Sequence, residues 1–344
     1  MIADLSVPVI LLLFAASAGV IAVCGVIMTG RADTLADRTG LGEAMVGAVI
    51  LGAATSLSGT VVSVTAALDG RASLAFSNSI GGIAAQTAFL AIADMTFRKA
   101  NLEHAAAEAT NLIQGVLLMA LLSVPLIAMT APEVTIWGIH PASFVIPAIY
   151  LFGLAVSQQV REEPMWKPVH TDETRHDEPE DEEDETAAKS TPRLVTEFLA
   201  LMAAMGMAGW LIAQTGSALI DRVGLSASLV GALMTAVATS LPELVTTIAA
   251  VRRGALQLAV GGIIGGNMFD TLFLTLSDSA YRDGSLYHAA QPDDVFWIAV
   301  SLLMTAALLA GLITRERHGP VRMGIDSLAL LGIYAGAIAI QVLK

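Results

Sequence analysis

The sequence predicts an all-α membrane protein with about ten transmembrane helices in two inverted five-helix repeats. Three observations predict it. Of 344 residues, 55% are hydrophobic and only 14% charged, with a mean hydropathy of +0.70, whereas a water-soluble domain carries about 25% charged residues. Apolar runs of about 20 residues, the length a helix needs to cross a bilayer core roughly 30 Å thick, recur along nearly the whole chain. The chain also aligns with itself at a fixed offset of 184 residues.

Runs between charges and turn residues place the spans in order. The first half holds Ser6 to Met28, Leu41 to Ala67, Leu74 to Thr96, Ala109 to Met129 and Ile136 to Gln158. The second holds Leu194 to Gln214, Leu225 to Val251, Leu256 to Ala280, Val295 to Ile313 and Ser327 to Leu343. Met1 to Ser6 carries Asp4 and no basic stretch, so the first run reads as a span rather than a cleavable signal. With the amino terminus outside, fourteen Lys and Arg fall in inside loops and four (Arg71, Arg222, Arg282, Lys344) outside. Short cytoplasmic loops collect positive charge, so both termini are expected to face away from the cytoplasm.

This divides the chain into a first half at 1–158, a linker at 159–193 and a second half at 194–344. The linker holds twelve Asp or Glu against five Lys or Arg and lacks apolar periodicity. It reads as a solvated cytoplasmic tether. The net charge of -13 excludes a nucleic-acid partner, and the lone Cys24 excludes a disulfide framework or thiolate metal cluster.

Residues 34–95 align with 218–279 without a gap, with 24 identities over 34–94. Asp37-Arg38 meets Asp221-Arg222, Ala54-Thr55-Ser56-Leu57 meets Ala238-Thr239-Ser240-Leu241, and Gly81-Gly82 meets Gly265-Gly266. The first copy starts after one crossing and the second after six, so the copies are expected to be inverted. Secondary transporters are commonly built this way, with the ion site at the midplane where the repeats meet.

The candidate site follows from residue chemistry. Glu243 lies within an apolar span, where an unpaired charge costs about 2.5–3.5 kcal/mol on insertion scales. Pro242 lacks an amide hydrogen, which frees the carbonyl of Ala238. Thr239 and Ser240 add hydroxyl oxygens, and Asp270 returns to the same depth on the next span. The repeat adds Thr55 and Ser56, and places Gln86 opposite Asp270. An all-oxygen set suits hard cations such as Ca2+ or Na+. Glu243 and Asp270 are the expected metal-binding carboxylates.

The second copy reads Ala238-Thr239-Ser240-Leu241-Pro242-Glu243, then Gly265-Gly266-Asn267-Met268-Phe269-Asp270. It resembles the α-repeat signature of the calcium/cation antiporter superfamily, which includes sodium/calcium and proton/calcium exchangers. The resemblance adds Asn267 to the site and implies exchange of cations by alternating access. The first copy departs from that pattern: Ser58 replaces the proline, Gly59 the glutamate, and Gln86 the aspartate. A glycine at 59 is expected to leave space for water.

The expected function is therefore a secondary antiporter exchanging Ca2+ or another divalent cation for Na+ or H+. The chain is expected not to be an enzyme and to need no cofactor beyond the transported cations. Its partners are inorganic cations and the lipid bilayer, with no protein partner inferred. The short loops suit a prokaryotic cytoplasmic (inner) membrane. A monovalent Na+ or K+/H+ antiporter and a transport-dead ion-binding protein are the alternatives. Asp94 and Asp278, near span ends, are expected to be interfacial.

Overall fold

The computed structural model describes residues 2–39, 55–97, 100–169, 171, 190–317, 319 and 323–344. Among these the chain is helical, with one isolated bridge between Ile136 and Ile139. Eight helices are long and apolar enough to cross a membrane, or nine if a bent pair counts as one span. The first half contributes α1 (Val7–Thr39), α2 (Leu57–Leu68), α3 (Ala72–Asp94), the short α4 (Leu102–Ala105), α5 (Ala109–Thr130) and α6 (Ala142–Glu162). The second contributes α7 (Thr191–Val223), α8 (Ala227–Thr239), α9 (Leu241–Arg253), α10 (Leu256–Asp270), α11 (Leu272–Ala280), α12 (Leu286–Ala289), α13 (Pro292–Thr314) and α14 (Ile325–Leu343). Of the expected span Leu41 to Ala67, residues 41–54 lie outside the described residues, and α2 covers its end. Most of the acidic linker also lies outside them.

The structure corrects several boundaries. The span expected from Ile136 begins only at Ala142, because Trp137 (φ 55) and Gly138 (φ 81) form a left-handed turn ahead of Pro141. The span expected as Leu225 to Val251 is two helices, α8 and α9, bent by 47°. The span Leu256 to Ala280 is divided at Thr271 into α10 and α11. Asp94 and Asp278, expected to be interfacial, do not reach the protein surface; both are wholly buried.

The offset of 184 recurs in the coordinates. Helices α1 and α7 begin and end 184 residues apart, as do the starts of α2 and α9 and of α3 and α10. Gly70 (φ 73) and Gly254 (φ 90) make the turns inside the last two pairs, in a left-handed conformation that a β-carbon would strain. The buried aspartates hold backbone amides in the same register. Asp94 accepts from Leu102 N at 2.7 Å and Gly324 N at 3.0 Å. Asp278 accepts from Leu286 N at 2.9 Å and His140 N at 2.8 Å. Each carboxylate thus ties a short loop helix and the approach to the last span of the other half, which explains its burial.

Helix α3 is buried along almost its whole length. A helix that is uniformly buried sits at the centre of a bundle. Close crossing with α8 is made by small residues: Gly81 faces the backbone of Ala232, and a Cβ on Gly231 would lie 2.7 Å from Ser77 Cβ. Helices α1 and α7 pack as a pair around Ile21, Met28, Met205 and Ile212, apart from the larger core.

The register also holds in the loops after Asp94 and Asp278, but with a different partner residue. Ser143 Oγ meets the Tyr287 hydroxyl at 2.9 Å, whereas the corresponding Ser327 Oγ donates to Glu103 Oε1 at 3.1 Å. Burial, then the charges of Asp326 and Asp94, push the Glu103 carboxyl well above its ordinary 4.5. The folded protein therefore holds this proton more tightly than the unfolded chain, and its stabilisation is lost as pH rises through the folded value. The unfolding midpoint of purified protein is expected to fall with rising pH above about 5, and to fall less in Glu103→Gln. Equal slopes for the two proteins would remove Glu103 as the titrating group.

Candidate cation-binding site

Two helix breaks build the site. Ser56 (φ -85, ψ 4) precedes α2, and Ser240 (φ -95, ψ 6) separates α8 from α9. At Ser240 the cause is local, since Pro242 in the first turn of α9 cannot continue the helical hydrogen-bond ladder. A π-helical stretch at Val230–Thr235 loosens α8 just before the break. Glu243 therefore enters in the first turn of α9, where the free amides of a helix start favour negative charge.

Asp270 ends α10 and lies between the halves of the chain. Ser56 Oγ donates to its Oδ1 at 2.8 Å and Gln86 Nε2 to its Oδ2 at 2.7 Å. Gln86 Nε2 also meets Ser240 Oγ at 3.2 Å. The Thr55 hydroxyl hydrogen-bonds the Glu243 carboxylate, which lies near enough to Asp270 for the two charges to couple. Thr55, Ser56, Gln86, Ser240, Glu243 and Asp270 are thus brought together, all buried.

Thr239 and Asn267 stand apart from that hydrogen-bonded group. The Thr239 hydroxyl donates back to its own helix, to Thr235 O at 3.0 Å and Ala236 O at 3.2 Å, so its proton is committed locally. Asn267 Nδ2 donates to Thr87 Oγ1 at 3.0 Å.

Among the buried oxygens without a hydrogen-bond partner, three belong to the candidate site residues: Glu243 Oε2, Gln86 Oε1 and Asn267 Oδ1. Leaving such an acceptor unpaired costs about 1–3 kcal/mol, more when it is charged. A cation relieves several at once. No group of three or more His, Cys, Asp or Glu side chains among the described residues could hold a metal. Neutral oxygens must therefore complete any shell around the two carboxylates, which favours a hard cation. Glycines leave the room: a Cβ on Gly82 would lie 3.4 Å from Asp270 Oδ2, and one on Gly266 3.4 Å from Gln86 Oε1.

Sequence reasoning missed the supports. Ser79 Oγ donates to Asp270 O at 2.7 Å. Asn78 Nδ2 donates to Gly59 O at 3.1 Å, and Asn78 Oδ1 accepts from Thr235 Oγ1 at 2.6 Å. Ser58 Oγ reaches Thr239 O at 3.4 Å. The polar triplet Ser77-Asn78-Ser79 inside an otherwise apolar span was the available signal. The expected water space at Gly59 is absent, because the ring of Phe273 lies against it.

The fold resembles solved exchangers. It matches the sodium-calcium exchanger NCX_Mj with a TM-score of 0.60 at 14% identity, covering 97% of this chain and 99% of that one. It matches the H+/Ca2+ exchanger CAX with a TM-score of 0.65 at 12% identity, covering 97% and 86%. In sequence it is 34% identical over 102 residues to the putative antiporter CaxA of Alkalimonas amylolytica. It is 32% identical over 108 residues to the sodium/calcium exchanger MaX1 of Methanosarcina acetivorans. Each match spans 30% of this chain and 30% of the relative's length. A family model of the sodium/calcium exchanger protein matches residues 9–157 and 194–343, nearly all of both halves, and the chain belongs to that family.

Proposed function

We propose that this chain is a secondary antiporter that exchanges Ca2+ or another divalent cation for Na+ or H+ by alternating access, and is not an enzyme. The observation that carries this reading is the pair of buried carboxylates, Glu243 and Asp270, set at a helix break and a helix end beside unpartnered oxygens. Membership of the exchanger family and the fold shared with Na+ and H+ exchangers of Ca2+ support it. The recurrence of helix starts and capping bonds at an offset of 184 supports ten spans in two inverted halves, 1–158 and 194–344. The charge asymmetry of the loops supports both termini outside and the linker in the cytoplasm, and the short loops suit a prokaryotic inner membrane. The partners are inorganic cations and lipid. The monovalent alternative, a Na+ or K+/H+ antiporter, is favoured by the presence of only two carboxylates at the site.

Flux in proteoliposomes, tested ion by ion, distinguishes these readings. Glu243→Gln and Asp270→Asn are each expected to abolish cation exchange while the protein still inserts and unfolds cooperatively, because intramembrane carboxylates are costly and are kept for function. Wild-type flux in either variant would remove that residue from the site.

The charge of the site sets its coupling. With both carboxylates ionised the cluster carries -2, and Thr55, Ser56, Gln86, Thr239, Ser240 and Asn267 are neutral. The occluded forms that cross between inward and outward states are the neutral ones, because burial of net charge is disfavoured. One divalent cation for two monovalent cations is expected, so an imposed membrane potential should change the rate little. Strong acceleration by voltage would refute the count.

The linker is not part of this machinery. Deleting Asp172 to Ala187 spares Thr171, whose hydroxyl meets His104 Nε2 at 3.0 Å, and should leave flux at about half of wild type or more, since the segment has no apolar surface to pack. Loss of flux with normal insertion would assign the linker a working role.

A further inference from the structure

The register that relates the halves sets Gly59 against Glu243. Each is the third residue of its helix, α2 or α9, and each helix follows a serine with nearly the same dihedral angles. A side chain at 59 would leave the backbone as Glu243 does. What it would meet is Phe273: a Cβ on Gly59 lies 2.7 Å from Phe273 Cε2, 3.2 Å from Cζ and 3.6 Å from Thr239 Oγ1. The first of these distances is shorter than van der Waals contact allows.

The ring is held from behind. Phe273 is 3% exposed, packs edge-to-face on Phe269 at 6.4 Å, and Phe269 packs edge-to-face on Tyr150 at 6.0 Å. An aromatic in this register does not by itself exclude a glutamate, since Phe89 of the first half matches Phe273 and stands to Glu243 in the repeat as Phe273 does to Gly59. The placement of the Phe273 ring against Gly59 is what closes the space. The place of the missing carboxylate is therefore taken by an aromatic ring.

We propose that Phe273 is a specificity-determining residue: its ring fills the place of a second glutamate, keeps water out of that side of the site, and limits the site to one divalent cation or two monovalent ones. This rests on the antiporter reading above. An apolar wall at Gly59 would strip water from the cation on that side and leave it to be coordinated by the remaining carboxylate, amide and hydroxyl oxygens. Small divalent ions fit such a place better than large ones, because the wall admits neither a larger ion nor the water that would complete its shell.

The experiment compares four proteins in liposomes: wild type, Phe273→Ala, Gly59→Glu, and the double variant. Phe273→Ala is expected to transport with its Ba2+ to Ca2+ rate ratio raised about tenfold, the scale on which a loosened pocket loses discrimination. Gly59→Glu alone is expected to lose most flux and to unfold at lower temperature. Adding Phe273→Ala to it should restore the unfolding midpoint and flux, now accelerated by an imposed potential because a third carboxylate is present. Phe273→Leu, a smaller change that preserves an apolar wall, should shift the ion ratio in the same direction by less, and it serves if the alanine variant does not fold. Wild-type ion preference in both Phe273 variants, or a Gly59→Glu protein as stable and active as wild type, would overturn the proposal. A wild-type protein that moves no cation would defeat the antiporter reading instead, while the unfolding midpoints of Gly59→Glu with and without Phe273→Ala would still decide whether the ring occupies that space.

Discussion

A carboxylate inside a bilayer must be answered, and the answer given to Asp270 organises the molecule. Its two oxygens accept from Ser56 and Gln86, residues of the opposite half of the chain. The site therefore exists only when both halves pack. It also gives a role to the non-helical Ser56 ahead of α2. A serine inside a continuous helix tends to donate to the carbonyl one turn back, as the Thr239 hydroxyl does to Thr235 O and Ala236 O. Released at the break, the Ser56 hydroxyl is free to cross to Asp270.

Helix α3 carries this arrangement. Ser79 and Gln86 are seven residues apart, two helical turns, and so project from one face. Ser79 holds the backbone carbonyl of Asp270 and Gln86 holds its side chain. From an adjacent face Asn78 holds the carbonyl of Gly59 and accepts from Thr235, ahead of the break at Ser240. One buried helix thus positions the ends of α8 and α10 and the start of α2. Its burial and its small residues are conditions for that role, because neighbouring backbones must approach it closely.

The general plan was legible in the sequence because it rests on quantities that sequence shows directly. Apolar run length gave the spans, and the fixed offset gave the pairing of Thr55-Ser56 with Thr239-Ser240 and of Gln86 with Asp270. Intramembrane cost singled out Glu243. What was not legible depends on where backbone and rings point. Gly138 and Pro141 are turn residues that would shorten the span, but nothing in the residue type of Trp137 announces its own left-handed conformation (φ 55). Asp94 and Asp278 look interfacial by position, yet their carboxylates close loops by accepting backbone amides, partners that no side-chain pattern reveals. Gly59 looks like an opening by composition; only the placement of Phe273, more than two hundred residues away in sequence, makes it a wall.

The two halves agree where the chain must be tied and disagree where the cation would sit. The amides held by Asp94 and Asp278 fall in matching register, whereas Glu243 corresponds to Gly59, Asp270 to Gln86 and Asn267 to Ile83. Strict symmetry would set a second aspartate at 86, within hydrogen-bond distance of Asp270, and a second glutamate at 59. Four carboxylates so close would repel one another and bind protons or several cations to survive burial. Replacing one aspartate by glutamine turns that repulsion into a donated hydrogen bond of 2.7 Å, and leaves the amide oxygen without a hydrogen-bond partner. On the antiporter reading proposed above, the asymmetry of the halves lowers the charge to one that a single divalent ion neutralises, and the first half, which brings no carboxylate to this cluster, supplies the donors that hold Asp270 in place.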